Sequence, residues 1–314
     1  MGASAVSSAP PPDFVIAGAA KSGTTALYQY LAEHPRLFLT DPKEPHYFAL
    51  AGTRPAFTGP GDDRTINRLA VTDRGRYLAL YEGAAPGSLR GEASVSTLYD
   101  EDAPRRLHEH NPAARVICIL RDPADRAFSA YSFMRTRTFE PCEQFEQALD
   151  DEPRRIAAGW HHIWHYQAMG RYAEQLARLF EVFPREQVLV LLYEEFARQP
   201  QAVLERTYRF LGVEPITPTV TPEPHRSGEP RFKTLSRVVN TPHPAKRVLG
   251  RIVPSGARAK LRSLVGRHNV VRGSYGTQTR ERLVAGFADD IARLETLLAV
   301  DLSTWRTIVR DGPP

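Results

Sequence analysis

Lys21, Ser22, Gly23, Thr24 and Thr25 directly follow an apolar run and three small residues, Phe14-Val-Ile-Ala-Gly-Ala-Ala20. A cation, three hydroxyls and the free N–H groups of a helix start make a cradle for phosphate. Gly18 to Ala20 are small enough to leave room for a ligand near the backbone. The place of the lysine excludes one common use. A P-loop for ATP or GTP reads G-x-x-x-x-G-K-[ST], with lysine directly after the last glycine. Here Lys21 comes two residues before Gly23, so it meets phosphates from a different side.

A second phosphate grip lies further on. Arg121 ends the apolar run Val116-Ile-Cys-Ile-Leu120, a proline turn follows, and a helical stretch then carries Ser129. A guanidinium offers a planar fork to phosphate oxygens, and a serine hydroxyl can complete the grip. The alternative is that Arg121 pairs with Asp122 or Asp125. Asp41-Pro-Lys-Glu-Pro-His-Tyr-Phe48 adds a carboxylate, Glu44, and an imidazole, His46. A carboxylate within hydrogen-bond reach of a hydroxyl can take its proton as that hydroxyl attacks.

These residues need elements to hold them. Phe14-Val-Ile-Ala, Val116–Leu120 and Val188-Leu-Val-Leu-Leu192 are short and continuously apolar, the pattern of central strands in a parallel sheet. The spacing predicts helices over 24–33, 104–109, 124–135, 170–183, 197–211 and 279–298. Strand–helix alternation argues an α/β fold, whose ligands bind beyond the carboxyl ends of the strands. Lys21, Arg121 and Tyr193 each follow one of the three runs.

Composition narrows the class. The chain has 314 residues and a net charge of +5, and it has no run of apolar residues long enough to span a membrane. Residues 1–12 are Ser/Ala-rich and end in three prolines, so they are expected to be a disordered leader rather than a signal peptide. Residues 13–312 are expected to form one domain. Cys118 and Cys142 imply no disulfide framework. No Cys/His cluster has zinc spacing, and His161, His162 and His165 are expected on a helix face rather than in a ligand set. Charge is uneven. From Arg226 to Arg272 there are twelve Lys/Arg and one acid, Glu229, so the remainder is net acidic. Such a segment suits an anionic partner, either as an acceptor-side lid or as a basic amphipathic contact with a membrane surface.

Taken together, the motifs resemble those of PAPS-dependent sulfotransferases, especially the heparan-type carbohydrate enzymes and their bacterial relatives (PAPS is 3′-phosphoadenylyl sulfate). K-S-G-T-T resembles their 5′-phosphosulfate loop. Arg121-Asp-Pro-Ala-Asp-Arg-Ala-Phe-Ser-Ala-Tyr131 matches their 3′-phosphate motif. Lys43-Glu-Pro-His-Tyr-Phe48 is similar to the K-E-x-H-[FY]-F of the 3-O-sulfotransferases, whose glutamate is the general base. Gly91-Glu-Ala-Ser-Val-Ser-Thr-Leu-Tyr99 resembles E-K-[ST]-x-x-Y, with Ala93 in place of a lysine near the acceptor.

The resemblance implies a P-loop-like, three-layer α/β fold with a central parallel β-sheet flanked by helices. It implies transfer of a sulfuryl group from PAPS, leaving PAP, to a hydroxyl or amine of a carbohydrate, glycolipid or natural product, with no metal and no nucleic acid. By resemblance, Lys21, Glu44 and His46 are catalytic. Lys21, Ser22, Gly23, Thr24, Thr25, Arg121, Ser129, Tyr193, Arg226, Ser227 and Gly228 hold the nucleotide. A cytoplasmic location, with contact at the inner membrane surface through the basic segment, completes the expectation. A P-loop kinase or NTPase, and a silent PAP- or PAPS-binding protein docking on anionic surfaces, are the alternatives.

Overall fold

The computed structural model describes residues 11–219, 229–230, 270–271 and 275–308. Arg226, Ser227, Gly228 and most of the basic segment lie outside them. Five strands form one sheet in the order β2-β3-β1-β4-β5. They are β1 Phe14–Gly18, β2 Leu37–Leu39, β3 Leu89–Ala93, β4 Arg115–Leu120 and β5 Val188–Leu192. Every neighbouring pair is parallel, with Phe14 opposite both Gly91 and Arg115 and with Leu120 opposite Leu192.

The continuous apolar character of the central runs follows from two-sided burial. Along β1 and β4, successive side chains enter opposite cores. Val15, Ala17, Val116, Cys118 and Leu120 join Leu107, Tyr131, Leu176, Leu179, Phe287 and Ile291 on one face. Phe14, Ile16, Ile117 and Ile119 join Leu27, Leu31, Val203, Tyr208 and Leu211 on the other. Helices therefore cover both faces, and the central sheet is the middle of three layers. The final helix, Thr277–Leu298, puts Leu283, Phe287, Ile291 and Leu294 into the first of these cores.

Three expectations need correction. Two strands escaped the apolar criterion. β2 has only three residues, and β3 reads Leu-Arg-Gly-Glu-Ala because Arg90 leaves the core to pair with Asp13, at 2.9 Å. The helix expected over 197–211 is two helices, Tyr193–Arg198 and Pro200–Leu211, broken at Gln199. A proline disfavours helical backbone in the residue before it. Gly18 leaves no room for a ligand, since a Cβ there would lie 2.9 Å from Cβ of Leu98.

Gly91 is under a similar constraint. A Cβ on it would lie 2.2 Å from the ring of fully buried Phe14. Gly91→Ala is therefore expected to lower the unfolding free energy by about 1–3 kcal/mol through overpacking. Urea denaturation followed by fluorescence checks this, and an unchanged midpoint would mean that Phe14 repacks freely.

Candidate active site

Residues 19–23 form a tight turn from β1 into the helix Thr24–Ala32 (α1). The amide of Ala19 donates to Ile119 O at 2.8 Å, which ties the turn to β4. Lys21 has φ 68° and Gly23 has φ 98°, so the backbone turns through left-handed space twice. At Gly23 glycine is required for a second reason: a Cβ there would lie 3.1 Å from the Tyr193 ring. The turn directs Lys21 over the face of Phe133, with Nζ 3.9 Å from the ring centroid. Burial, and then the nearby Arg137 cation, push the ammonium down to about 7.

β4 and β5 bring the second grip beside the first. The guanidinium of Arg121 lies 4.8 Å from the Tyr193 ring centroid and donates to Lys21 O at 3.4 Å. It does not pair with the neighbouring acids. Asp122 caps the helix Pro123–Thr136 through the amides of Ala124 and Asp125 and binds Arg280 at 2.5 Å. Asp125 accepts from the Tyr275 hydroxyl at 2.7 Å. The same helix carries Ser129, which is buried and lines the same cavity as Arg121.

Glu44 and His46 arrive from the loop after β2. His46 has φ 57° and starts the short helix Tyr47–Leu50. Its amide donates to Ser94 Oγ at 3.0 Å, and its Nδ1 lies 2.9 Å from Ser96 Oγ. Its Nε2 lies 3.5 Å from Glu44 Oε2, while Lys43 Nζ sits 2.5 Å from Glu44 Oε1. Burial raises the Glu44 carboxyl, but Lys43, His46 and Lys21 outweigh it and hold it below its ordinary value. Beneath this loop, Glu92 is fully buried, and desolvation pushes it up to about 8. It is therefore neutral at pH 7 and adds no negative charge under Glu44.

A cavity of about 700 Å³ collects these parts. Lys21, Gly23, Thr24, Thr25, Glu44, His46, Arg121, Ser129 and Tyr193 all line it. The site is thus a cleft at the carboxyl ends of β1, β4 and β5, with cations at its floor and a carboxylate–imidazole pair at its side. That arrangement can bind a polyanion and remove a proton from a group beside it.

One expected site residue, Ser22, faces elsewhere, and so does Ala93, where the motif departs from the family's lysine. Ser22 is fully buried and does not line the cleft, because the left-handed Lys21 and Gly23 on either side send it into the protein. Ala93 belongs to the apolar core with Phe14, Ile16 and Ile117, so strand alternation points it away from the cleft. The substitution there carries no information about an acceptor. The nearby residues that do reach the site are Ser94 and Ser96, on which His46 is mounted.

The histidines are a third correction. His161 lies before, and His162 opens, the 3₁₀ turn His162–Trp164, and both line the cleft beside His46. They also line a second cavity of about 380 Å³, with Tyr99, Trp160, His165, Arg171 and Arg178. The turn is pinned from outside the local sequence: Asp62 accepts from the His161 amide at 3.0 Å and from Trp164 Nε1 at 3.2 Å. Arg137 was also missed. It lines the cleft with its guanidinium 4.3 Å from the Phe133 ring centroid. Its only sequence signal is a basic residue at a helix end, which is common for structural reasons alone.

Residues 11–223 match the family model described as the sulfotransferase domain. Carbohydrate sulfotransferase 15 of Mus musculus is 27% identical over 297 residues, covering 77% of this chain and 49% of that protein. Bifunctional heparan sulfate N-deacetylase/N-sulfotransferase 3 of Mus musculus is 26% identical over 275 residues, 82% of this chain and 29% of that protein. The chain thus spans about half, or less, of the length of these curated relatives. The crystal structure of a sulfotransferase from Alicyclobacillus acidocaldarius aligns with a TM-score of 0.74 at 34% identity, covering 95% of this chain and 99% of that one.

Proposed function

Given that the chain belongs to the sulfotransferase domain family, we propose that it moves a sulfuryl group from PAPS to a hydroxyl or amine, with PAP as product. One observation carries this reading. The Lys21 turn, the Arg121–Ser129 pair and the Glu44–His46 pair line one cleft. The first suits a 5′-phosphosulfate, the second a 3′-phosphate, and the third an acceptor that must lose a proton. The names of the mammalian relatives favour a carbohydrate as the acceptor class.

The acceptor oxygen or nitrogen forms a bond to sulfur as the bond from sulfur to the 5′-phosphate oxygen breaks, the two lying in line. Glu44 takes the acceptor proton, and His46 orients the acceptor. Lys21 offsets the charge that grows on the departing phosphate. The amides and hydroxyls of Gly23, Thr24 and Thr25 hold that phosphate at the start of α1. Tyr193, already stacked on Arg121, offers a face to the adenine. Arg137, which lines the cleft against the Phe133 ring, supplies a further cation for the sulfonate.

Sulfur-labelled PAPS incubated with the protein and carbohydrate, glycolipid and phenolic acceptors tests the reading. Label should reach an acceptor, and PAP should accumulate in equal amount. Magnesium-dependent release of phosphate from ATP, with no label transfer, would overturn it in favour of an NTPase. Arg121→Ala should weaken PAP binding by roughly 10–100-fold, the loss of a charge-assisted contact worth about 1.5–3 kcal/mol. Binding of the analogue lacking the 3′-phosphate should barely change. Equal losses for the two ligands, measured by calorimetry, would remove the 3′-phosphate role from Arg121.

A further inference from the structure

The cleft and the second cavity share one wall, made of His161 and His162. His46 closes on that wall from the cleft side, its ring centroid 5.9 Å from that of His161 and 6.1 Å from that of His162. One ring nitrogen from each of the three residues lies within 4.8 Å of the other two. Nε2 of His161 and Nε2 of His162 are buried and have no hydrogen-bond partner. Buried polar atoms almost always have one, so two adjacent exceptions point to a ligand that accepts their lone pairs.

We propose that His46, His161 and His162 form a binding site for one divalent transition-metal ion, with zinc the best chemical match, and that its occupancy withdraws His46 from the acceptor. Ser96 holds Nδ1 of His46 at 2.9 Å, and a partner on one ring nitrogen fixes the other as the ligand atom. Three nitrogens and no thiolate suit zinc, nickel or copper and not magnesium or calcium. In a tetrahedral set with bonds of about 2.1 Å, ligand nitrogens stand about 3.4 Å apart, so from a separation of up to 4.8 Å the rings need to close by up to about 1.4 Å. Glu44, 3.5 Å from Nε2 of His46, adds negative charge beside the ion.

The metal site stands on its own geometry, whereas its effect on transfer rests on the proposed function. Co²⁺ titrated into the full chain reports both number and geometry through its visible absorption. One ion should bind with the intense bands of tetrahedral cobalt and be displaced by Zn²⁺. His162→Gln should weaken binding by roughly 100-fold. In protein labelled with ¹⁵N-histidine, Zn²⁺ should move the ring signals of His46, His161 and His162 together, a result that needs no variant to fold. No tetrahedral spectrum, full affinity in folded His162→Gln, or shifts confined to other histidines such as His108 and His110 would overturn the site. Zn²⁺ should also slow sulfuryl transfer, and a chelator should restore it. Binding without slowed transfer would overturn the withdrawal of His46. Binding in a protein that never transfers label would leave the site intact and count against the proposed function.

Discussion

Glu44→Gln should lower the rate of sulfuryl transfer by roughly 10³-fold and leave affinity for PAP nearly unchanged. Positioned proton transfer is worth about 10²–10⁴-fold. The amide keeps the size of the side chain and an oxygen for Lys43, so it removes the proton acceptor and little else. Glu44 is held ionised by its neighbours and is for that reason a weak base. A weak base suffices where the transition state is loose, because bond breaking to the leaving group leads and the acceptor becomes acidic only as sulfur is captured. Single-turnover measurements with preloaded PAPS separate this from slow product release. A full single-turnover rate in Glu44→Gln would show that the acceptor loses its proton elsewhere, with His46 the next candidate.

Lys21→Ala should cost nearly as much, roughly 10²–10³-fold in rate, the usual worth of one charge-stabilising donor in a dry site. It has a second signature that Glu44→Gln lacks. In the free protein the ammonium titrates at about 7, while a phosphate dianion beside it favours the charged form. Above pH 7 the free lysine is mostly neutral and must gain a proton as the nucleotide binds. Affinity for PAP should therefore fall as pH rises through 7, by up to about tenfold per unit, until the pKa of the bound form is reached. Calorimetry in buffers of different ionisation enthalpy reads that proton directly. Proton uptake should be near one at pH 8 and absent in Lys21→Ala. The same uptake in both proteins would assign it to another group and leave Lys21 as a plain point charge.

The parts of the site that could be seen in the sequence are those that local chemistry dictates. A lysine between small residues after an apolar strand, an arginine at a strand end and an acid near an imidazole are each defined within a dozen residues, and the fold brings them to one cleft. What could not be seen depends on direction or on distant partners. Ser22 follows a residue in left-handed space, so its side chain leaves the turn inward, and no spacing rule reports that. Ala93 sits one step along the strand from Glu92, and that single step decides between the two faces of the sheet. His161 and His162 become a wall of the cleft only because Asp62, almost one hundred residues earlier, fixes their turn. β2 and β3 were hidden for different reasons. β2 has only three residues, and in β3 Arg90 is satisfied by Asp13, far away in the sequence.

The all-parallel five-stranded sheet sets the order in which its strands can pair as the chain is made. No two of its strands can join through a hairpin, so each pairing waits for a segment that emerges later from the ribosome. β1 sits at the centre, yet its neighbours are β3 and β4, so the Lys21 turn leaves the ribosome early and stays without its floor until Arg115–Leu120 follows. Arg121 comes just after, but Tyr193, on which it stacks, waits for β5. A nascent chain that ends before Val188 leaves β4 as a bare apolar edge, open to pairing with another chain. The cleft is consequently a late product of synthesis, and a ligand that fits it can reward only a chain in which β4 is already covered by β5.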